Sequence, residues 1–72
     1  MNKEVVLREA YLEVARKGHF QNDVPYSRYP GIFGRIKKIE DEIDNTVDES
    51  KFIDCVARWK KSWFDTIRIL KL

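Results

Sequence analysis

Three carboxylates are the residues of this sequence whose type and spacing could support catalysis. Glu40 and Asp44 are four positions apart, so they share one face of any helix that contains them, and Asp54 lies in the helical segment that follows. Carboxylates on neighbouring helices can hold a magnesium ion for phosphate chemistry. A magnesium-dependent reaction on a phosphate is therefore the first hypothesis that these residues allow.

A wider segment around these carboxylates resembles a known enzyme family. The stretch Ile-Glu-Asp-Glu-Ile-Asp at 39–44, followed by Phe-Ile-Asp-Cys-Val at 52–56, is similar in loose form to the helical nucleoside-triphosphate pyrophosphatases of the MazG type. The resemblance covers less than a third of the chain and implies a second pair of acidic residues. Lys51 stands where one of those carboxylates is expected. We therefore interpret the acidic run as a solvated helix face, which is the usual role of such runs.

The other groups that could do chemistry are isolated from one another. Cys55 falls in the middle of a predicted helix, and nothing in the sequence brings His19, the single histidine, next to it. One cysteine and one histidine do not supply the four ligands of a typical zinc site. Gly18, Gly31 and Gly34 lack the spacing of a phosphate-binding loop. The sequence therefore predicts a protein that is not an enzyme and that has no metal site and no cofactor.

Length and composition predict one small globular domain that spans residues 1–72. Of the 72 residues, 43% are hydrophobic, and the formal net charge is +2. No apolar stretch approaches the ~18 residues of a membrane span, and the start of the sequence lacks the layout of a signal peptide. The single cysteine excludes an internal disulfide and favours a reducing, cytoplasmic location.

Hydrophobic periodicity predicts an all-α fold, a small three-helix bundle. We predict helices over 3–17, 31–45 and 48–71, with an aromatic loop over 18–30. In the long C-terminal helix, one apolar row recurs at steps of three and four, and a second row lies beside it. The main row is Phe52, Val56, Trp59, Trp63, Ile67 and Leu70, and the second row is Ile53, Ala57 and Phe64. We therefore expect this amphipathic helix to pack on both shorter helices, with both tryptophans in the core.

The two shorter helices have narrower apolar faces. The face expected to be buried in the first helix is Val6, Leu7, Ala10, Tyr11 and Val14. The face expected in the second helix is Ile32, Phe33, Ile36, Ile39, Ile43 and Val47. Gly18 is expected to end the first helix in the left-handed conformation, and either Thr46 or Asp48 is expected to cap the third.

The charges of the second helix oppose its dipole. Basic residues crowd its N-terminal half and acidic residues its C-terminal half, although the helix dipole favours the reverse. The second and third helices should pack antiparallel, because the connection between them is short. If the first helix also runs antiparallel to the second, the basic residues of all three meet at the end that carries the aromatic loop. We therefore predict a partner-binding site at this end. Its candidate residues are Arg16, Lys17, His19, Phe20, Tyr26, Arg28, Tyr29, Arg35, Lys37, Lys38 and Lys61.

The aromatic loop allows two interpretations. Phe20, Val24, Tyr26 and Tyr29 can fold back onto a small core, because aromatic rings dominate core burial. The same rings can instead form a recognition surface, since binding residues are often carried by loops. The sequence leaves both interpretations open.

The predicted function is that of a small binding or regulatory protein that acts stoichiometrically by occupying a surface of a macromolecular partner. A protein is the expected partner, because a positive patch steers docking onto an acidic protein surface. Size and composition are typical of phage- or plasmid-encoded inhibitors of host machinery, an analogy that rests on no motif. Two alternatives stay open, namely nucleic-acid binding by the basic, aromatic-rich end and self-assembly into a homo-oligomer. No membrane partner is expected.

Overall fold

Three α-helices make up most of the part of the chain that the structure describes. The structure, a computed structural model, describes residues 1–18 and 24–72. Its helices are α1 (Lys3–Lys17), α2 (Pro30–Asn45) and α3 (Glu49–Leu70), and a 3₁₀ turn, Tyr26–Arg28, precedes α2. The predicted all-α bundle is confirmed, and each helix ends within one residue of its predicted bounds. The 3₁₀ turn falls in the predicted loop, while the candidate residues His19 and Phe20 lie outside the described residues.

Side-chain caps explain where α1 and α3 begin. The Asn2 side-chain oxygen accepts hydrogen bonds of 3.0 and 3.3 Å from two backbone N–H groups in the first turn of α1. The Asp48 carboxylate accepts a hydrogen bond of 3.0 Å from the Lys51 N–H, so Asp48 rather than Thr46 caps α3. Each cap stabilises its helix by about 1 kcal/mol, because it satisfies a backbone donor that has no partner within the helix.

Two expectations about helix ends are wrong. Gly18 ends α1 in an extended conformation (φ −105°, ψ 155°), and its N–H still reaches the Val14 carbonyl, so no left-handed residue is needed there. Val47 is 91% exposed instead of buried. The cause is that α2 ends at Asn45, so the helical spacing that would align Val47 with Ile43 stops before it.

The long helix α3 packs on both other helices and supplies half of the buried hydrophobic side chains, as many as α1 and α2 together. Its predicted main row is buried except for Leu70, which is half-buried, and Phe52 is the most deeply buried side chain at 1% exposure. The core is completed from α1 and α2 by Ala10, Val14, Phe33, Ile36, Ile39 and Ile43. Within residues 1–18 and 24–72, none of the helices combines the length and the apolar character that crossing a membrane requires.

The second apolar row of α3 differs from the prediction. Ile53 and Ala57 are exposed, whereas Cys55 and Thr66 are buried. The reason is the side on which α2 packs, since the Cys55 sulfur lies 3.8 Å from a carboxylate oxygen of Glu42 on α2. Of the predicted second row, Ile53 and Ala57 are therefore left at the surface, whereas Phe64 is half-buried against the core.

Contacts at both ends hold α1 against α3. Near the start of α1, Lys3 Nζ lies 5.1 Å from the centroid of the Phe52 ring and donates a hydrogen bond of 3.0 Å to the Thr46 carbonyl. Near the end of α1, the Glu13 carboxylate forms an ion pair of 2.8 Å with Lys60. Because Phe52 lies in the first turn of α3 and Lys60 in its second half, α1 runs parallel to α3.

Candidate partner-binding site

The direction in which α2 runs relative to α3 determines which charged residues lie at the same end of the molecule. Glu42, in the last turn of α2, forms an ion pair of 2.6 Å with Arg58 in the first half of α3. Phe33, in the first turn of α2, contacts Trp63 further along α3, with ring centroids 5.8 Å apart. α2 is therefore antiparallel to α3, as the short connection predicts. Since α1 is parallel to α3, the end of α1, the start of α2 and the end of α3 lie at the same pole.

A plane across the middle of α3 divides the molecule, whose longest dimension is 33 Å, into two halves. The plane passes just beyond Trp59, which contacts Tyr11 of α1 and Glu40 of α2. We call residues 13–18, 24–38 and 60–72 the positive half and residues 1–12 and 39–59 the negative half. The positive half contains ten basic and two acidic side chains, and the negative half contains four basic and nine acidic ones. The small net charge thus conceals two halves of opposite sign.

The basic candidate residues within the described part of the chain all lie in the positive half and are all exposed. They are Arg16, Lys17, Arg28, Arg35, Lys37, Lys38 and Lys61. Lys37 forms an exposed ion pair of 3.1 Å with Asp41, whose hydrogen bond and charge raise the pKa of Lys37. The other six form no ion pair with any residue in 1–18 or 24–72, so their charges are available to a partner.

A row of aromatic rings runs through the core and reaches the surface at both ends. The ring centroids are 4.8 Å apart for Tyr11 and Trp59, 6.4 Å for Trp59 and Trp63, 5.8 Å for Trp63 and Phe33, and 4.8 Å for Phe33 and Tyr26. Both tryptophans are buried, which confirms their predicted place in the core. Tyr11 and Tyr26, at the two ends of the row, are 57% and 56% exposed. Tyr26 therefore packs on the core and presents its outer side to solvent.

The two exposed tyrosines border a cleft, which we call the aromatic cleft. It is a cavity of about 250 Å³ that opens between α1, the 3₁₀ turn and α3. Its lining includes Val14, Val24, Trp59 and Trp63, so its walls are mostly apolar. A cleft of this kind accepts an apolar side chain, and the phenol groups of Tyr11 and Tyr26 at its rim can form hydrogen bonds.

Tyr11 is a residue that the sequence analysis places wrongly, in the core. α1 and α2 each pack on α3 but not on each other, which leaves a groove between them that Tyr11 lines together with Glu40 and Asp44. Partial burial raises the pKa of Tyr11, and the negative charges of these two carboxylates raise it further. No pattern in the sequence predicts this position, because the groove depends on the angle between two helices that share a third.

The aromatic candidates of the predicted loop separate in the structure. Tyr26 lines the aromatic cleft. Tyr29 directly precedes α2, is partly exposed, and is not part of the cleft lining. His19 and Phe20 lie outside the described residues. The candidate site therefore consists of the exposed cations of the positive half and the aromatic cleft beside them.

The three carboxylates first considered for magnesium are not brought together. Glu40 accepts a hydrogen bond of 3.1 Å from the Trp59 indole N–H and, with Asp44, borders the groove between α1 and α2. Asp54 lines a separate cavity that also contains Glu42. Within the ranges 1–18 and 24–72, no group of three His, Cys, Asp or Glu side chains is placed to hold a metal ion.

Comparisons with known proteins identify no relative of this chain. No protein-family model matches the chain, and no match is found among curated proteins or solved structures. The functional argument therefore rests on the contacts, charges and cavities of this chain alone.

Proposed function

We propose that this protein is a non-enzymatic binding protein that docks its positive half and its aromatic cleft onto an acidic surface of a protein partner. The observation that carries the proposal is the separation of charge, with ten basic and two acidic side chains in the half that supplies most of the residues lining the cleft. A protein that binds in this way acts by occupying its partner's surface, which is how stoichiometric regulators and inhibitors work.

Helix stability does not account for the charge pattern. Arg35 and Lys37 lie in the N-terminal half of α2 and Lys38 directly follows its midpoint, so none of the three lies in the last turn, where the helix dipole favours a cation. Their exposure means that they also stabilise no buried acid. An acidic partner gives these charges a role, because complementary fields accelerate the encounter of two proteins and orient them.

A protein partner fits the aromatic residues better than a nucleic acid does. Bases stack on exposed aromatic faces, whereas Trp59 and Trp63 are buried in the core. The aromatic cleft is instead suited to an apolar side chain of a protein.

Two alternatives are each favoured by one observation. The exposed, unpaired cations of the positive half favour nucleic-acid binding. The opposite signs of the two halves favour head-to-tail self-assembly. Sedimentation of the protein alone at low and high salt tests self-assembly, because an assembly held by charge forms only at low salt.

Capture from a nuclease-treated lysate tests the proposed function. The immobilised protein should retain a partner protein at low salt and release it at high salt, since salt screens contacts between exposed charges. Retention should be the same with and without nuclease. Loss of the retained material after nuclease digestion would favour the nucleic-acid alternative, and retention that is insensitive to salt would remove the positive half from the account.

A further inference from the structure

A second cavity lies within the positive half, between the start of α2 and the end of α3. It has a volume of about 180 Å³ and shares no lining residue with the aromatic cleft. Its lining includes Arg35 from α2 and Arg68 from α3, so arginines from two helices border one cavity. Ser62 and Asp65 of α3 complete its polar side.

The polar groups of this cavity are weakly engaged within the protein. Arg35 forms no ion pair with the described residues. Arg68 contacts Asp65 at 3.3 Å, but the two side chains are 75% and 48% exposed. Such exposed pairs contribute little to stability, so Arg68 can turn toward a ligand at small cost. Both guanidinium groups are therefore available to an oxyanion.

The fold does not need Arg35 at its position. It lies in the second turn of α2, away from the last turn, where the helix dipole would favour a cation. Its side chain is exposed and pairs with no acid of the described chain. A ligand that supplies the missing anion would account for this charge.

We infer that the cavity binds the carboxylate of an acidic residue of the protein partner. Guanidinium groups recognise carboxylates by paired, charge-assisted hydrogen bonds. Asp65 offsets one of the two guanidinium charges, so the cavity suits a singly charged carboxylate better than a doubly charged phosphate. Ile32 and Ile69 supply apolar walls for the side chains that flank the acidic residue. The inference rests on the proposed function, because the carboxylate belongs to the partner.

A titration with short peptides, followed by NMR, tests the inference. The acetylated and amidated peptide Leu-Glu-Leu should cause saturable shifts of the amide signals of Ser62, Asp65 and Arg35, whereas Leu-Gln-Leu should not. Arg35→Gln and Arg68→Gln should each weaken binding of the glutamate peptide about tenfold, since each removes a charge-assisted hydrogen bond. The matched control is Lys51→Gln, which removes an exposed cation of the negative half and should leave binding unchanged.

Three results would overturn the inference. The first is that the protein binds both peptides equally. The second is that the wild type and Arg35→Gln bind the glutamate peptide equally. The third is that inorganic phosphate saturates the cavity while Leu-Glu-Leu causes no response. Partner capture separates this failure from failure of the proposed function. If the inference alone is wrong, Arg35→Gln still retains the partner at low salt, whereas a wrong proposed function leaves no salt-sensitive protein partner to retain.

Discussion

Replacing Trp59 with alanine should destabilise the fold by about 3–5 kcal/mol, the usual effect of removing a large buried aromatic side chain. Trp59 is 3% exposed and contacts all three helices. Its ring packs against Tyr11 of α1 at 4.8 Å, and its indole N–H donates a hydrogen bond of 3.1 Å to Glu40 of α2. Domains of this size lie near the lower end of the usual ~5–15 kcal/mol of stability. The Trp59→Ala protein should therefore keep at most about 2 kcal/mol of stability, so that a measurable fraction is unfolded without denaturant.

Urea unfolding followed by circular dichroism measures this effect. Trp59→Phe retains a ring but loses the indole donor, so it should fold with a lower stability and provide a value even if the alanine variant is wholly unfolded. Val47→Ala is the control, since Val47 is exposed and its removal should change the free energy of unfolding by less than about 0.5 kcal/mol. A Trp59→Ala protein with the wild-type unfolding midpoint would show that α3 is not the centre of the core.

The double substitution Lys17→Glu with Lys61→Glu should weaken partner binding at low salt by about tenfold or more, because it converts attraction to an acidic surface into repulsion. Both lysines are exposed, lie in the positive half and form no ion pair with the described residues. Their reversal should leave the core intact. The amount of partner retained by each immobilised variant gives the readout.

Arg8→Glu with Lys51→Glu is the matched control for this reversal. It changes the net charge by the same amount, at two exposed cations of the negative half. Circular dichroism should show that both double variants are as helical as the wild type. The control should keep most of its binding, since the cations that it replaces lie at the other pole. Equal losses in the two variants would mean that net charge, and not its location, governs binding.

The helix bounds could be predicted from the sequence because their signals are local. Asn2 and Asp48 are side chains that accept hydrogen bonds from nearby backbone N–H groups, so they determine where α1 and α3 begin. The main apolar row of α3 could be predicted as well, since a hydrophobic periodicity of three and four positions is visible in the sequence without the tertiary structure. Val47 was misassigned because the same periodicity does not report where a helix stops.

Which residues form the second buried row of α3 could not be predicted, because that depends on the side of α3 on which α2 packs. Periodicity shows that α3 has a wide apolar arc, but not which edge of that arc faces α2. The sequence favoured Ile53 and Ala57, which are the more apolar residues. In the structure Cys55 faces Glu42 of α2, and Thr66 is buried with its hydroxyl group donating a hydrogen bond to the Ser62 carbonyl of α3 itself.

Only part of the candidate site could be predicted from the sequence, because the rest depends on how the helices pack. The positive half follows from helix directions, and the short connection between α2 and α3 predicts one of them, whereas the direction of α1, which is joined to α2 by a long loop, was only assumed. Tyr11 and Tyr26 line the same aromatic cleft, and Arg35 and Arg68 line the same second cavity. Such pairs are distant in sequence, so only the packed structure shows them.

Paramagnetic relaxation from a spin label at the end of α3 most directly tests the claim that the helix directions assemble the positive half. The label would be attached at Lys71→Cys in a Cys55→Ala background, so that it reacts at one position. We expect strong signal loss for the amides of Lys17 and Ile32, which lie at the same pole, and an unchanged signal for Glu4 at the other. Loss of the Glu4 signal together with an unaffected Lys17 signal would mean that α1 runs in the opposite direction. That result would contradict the account of the positive half.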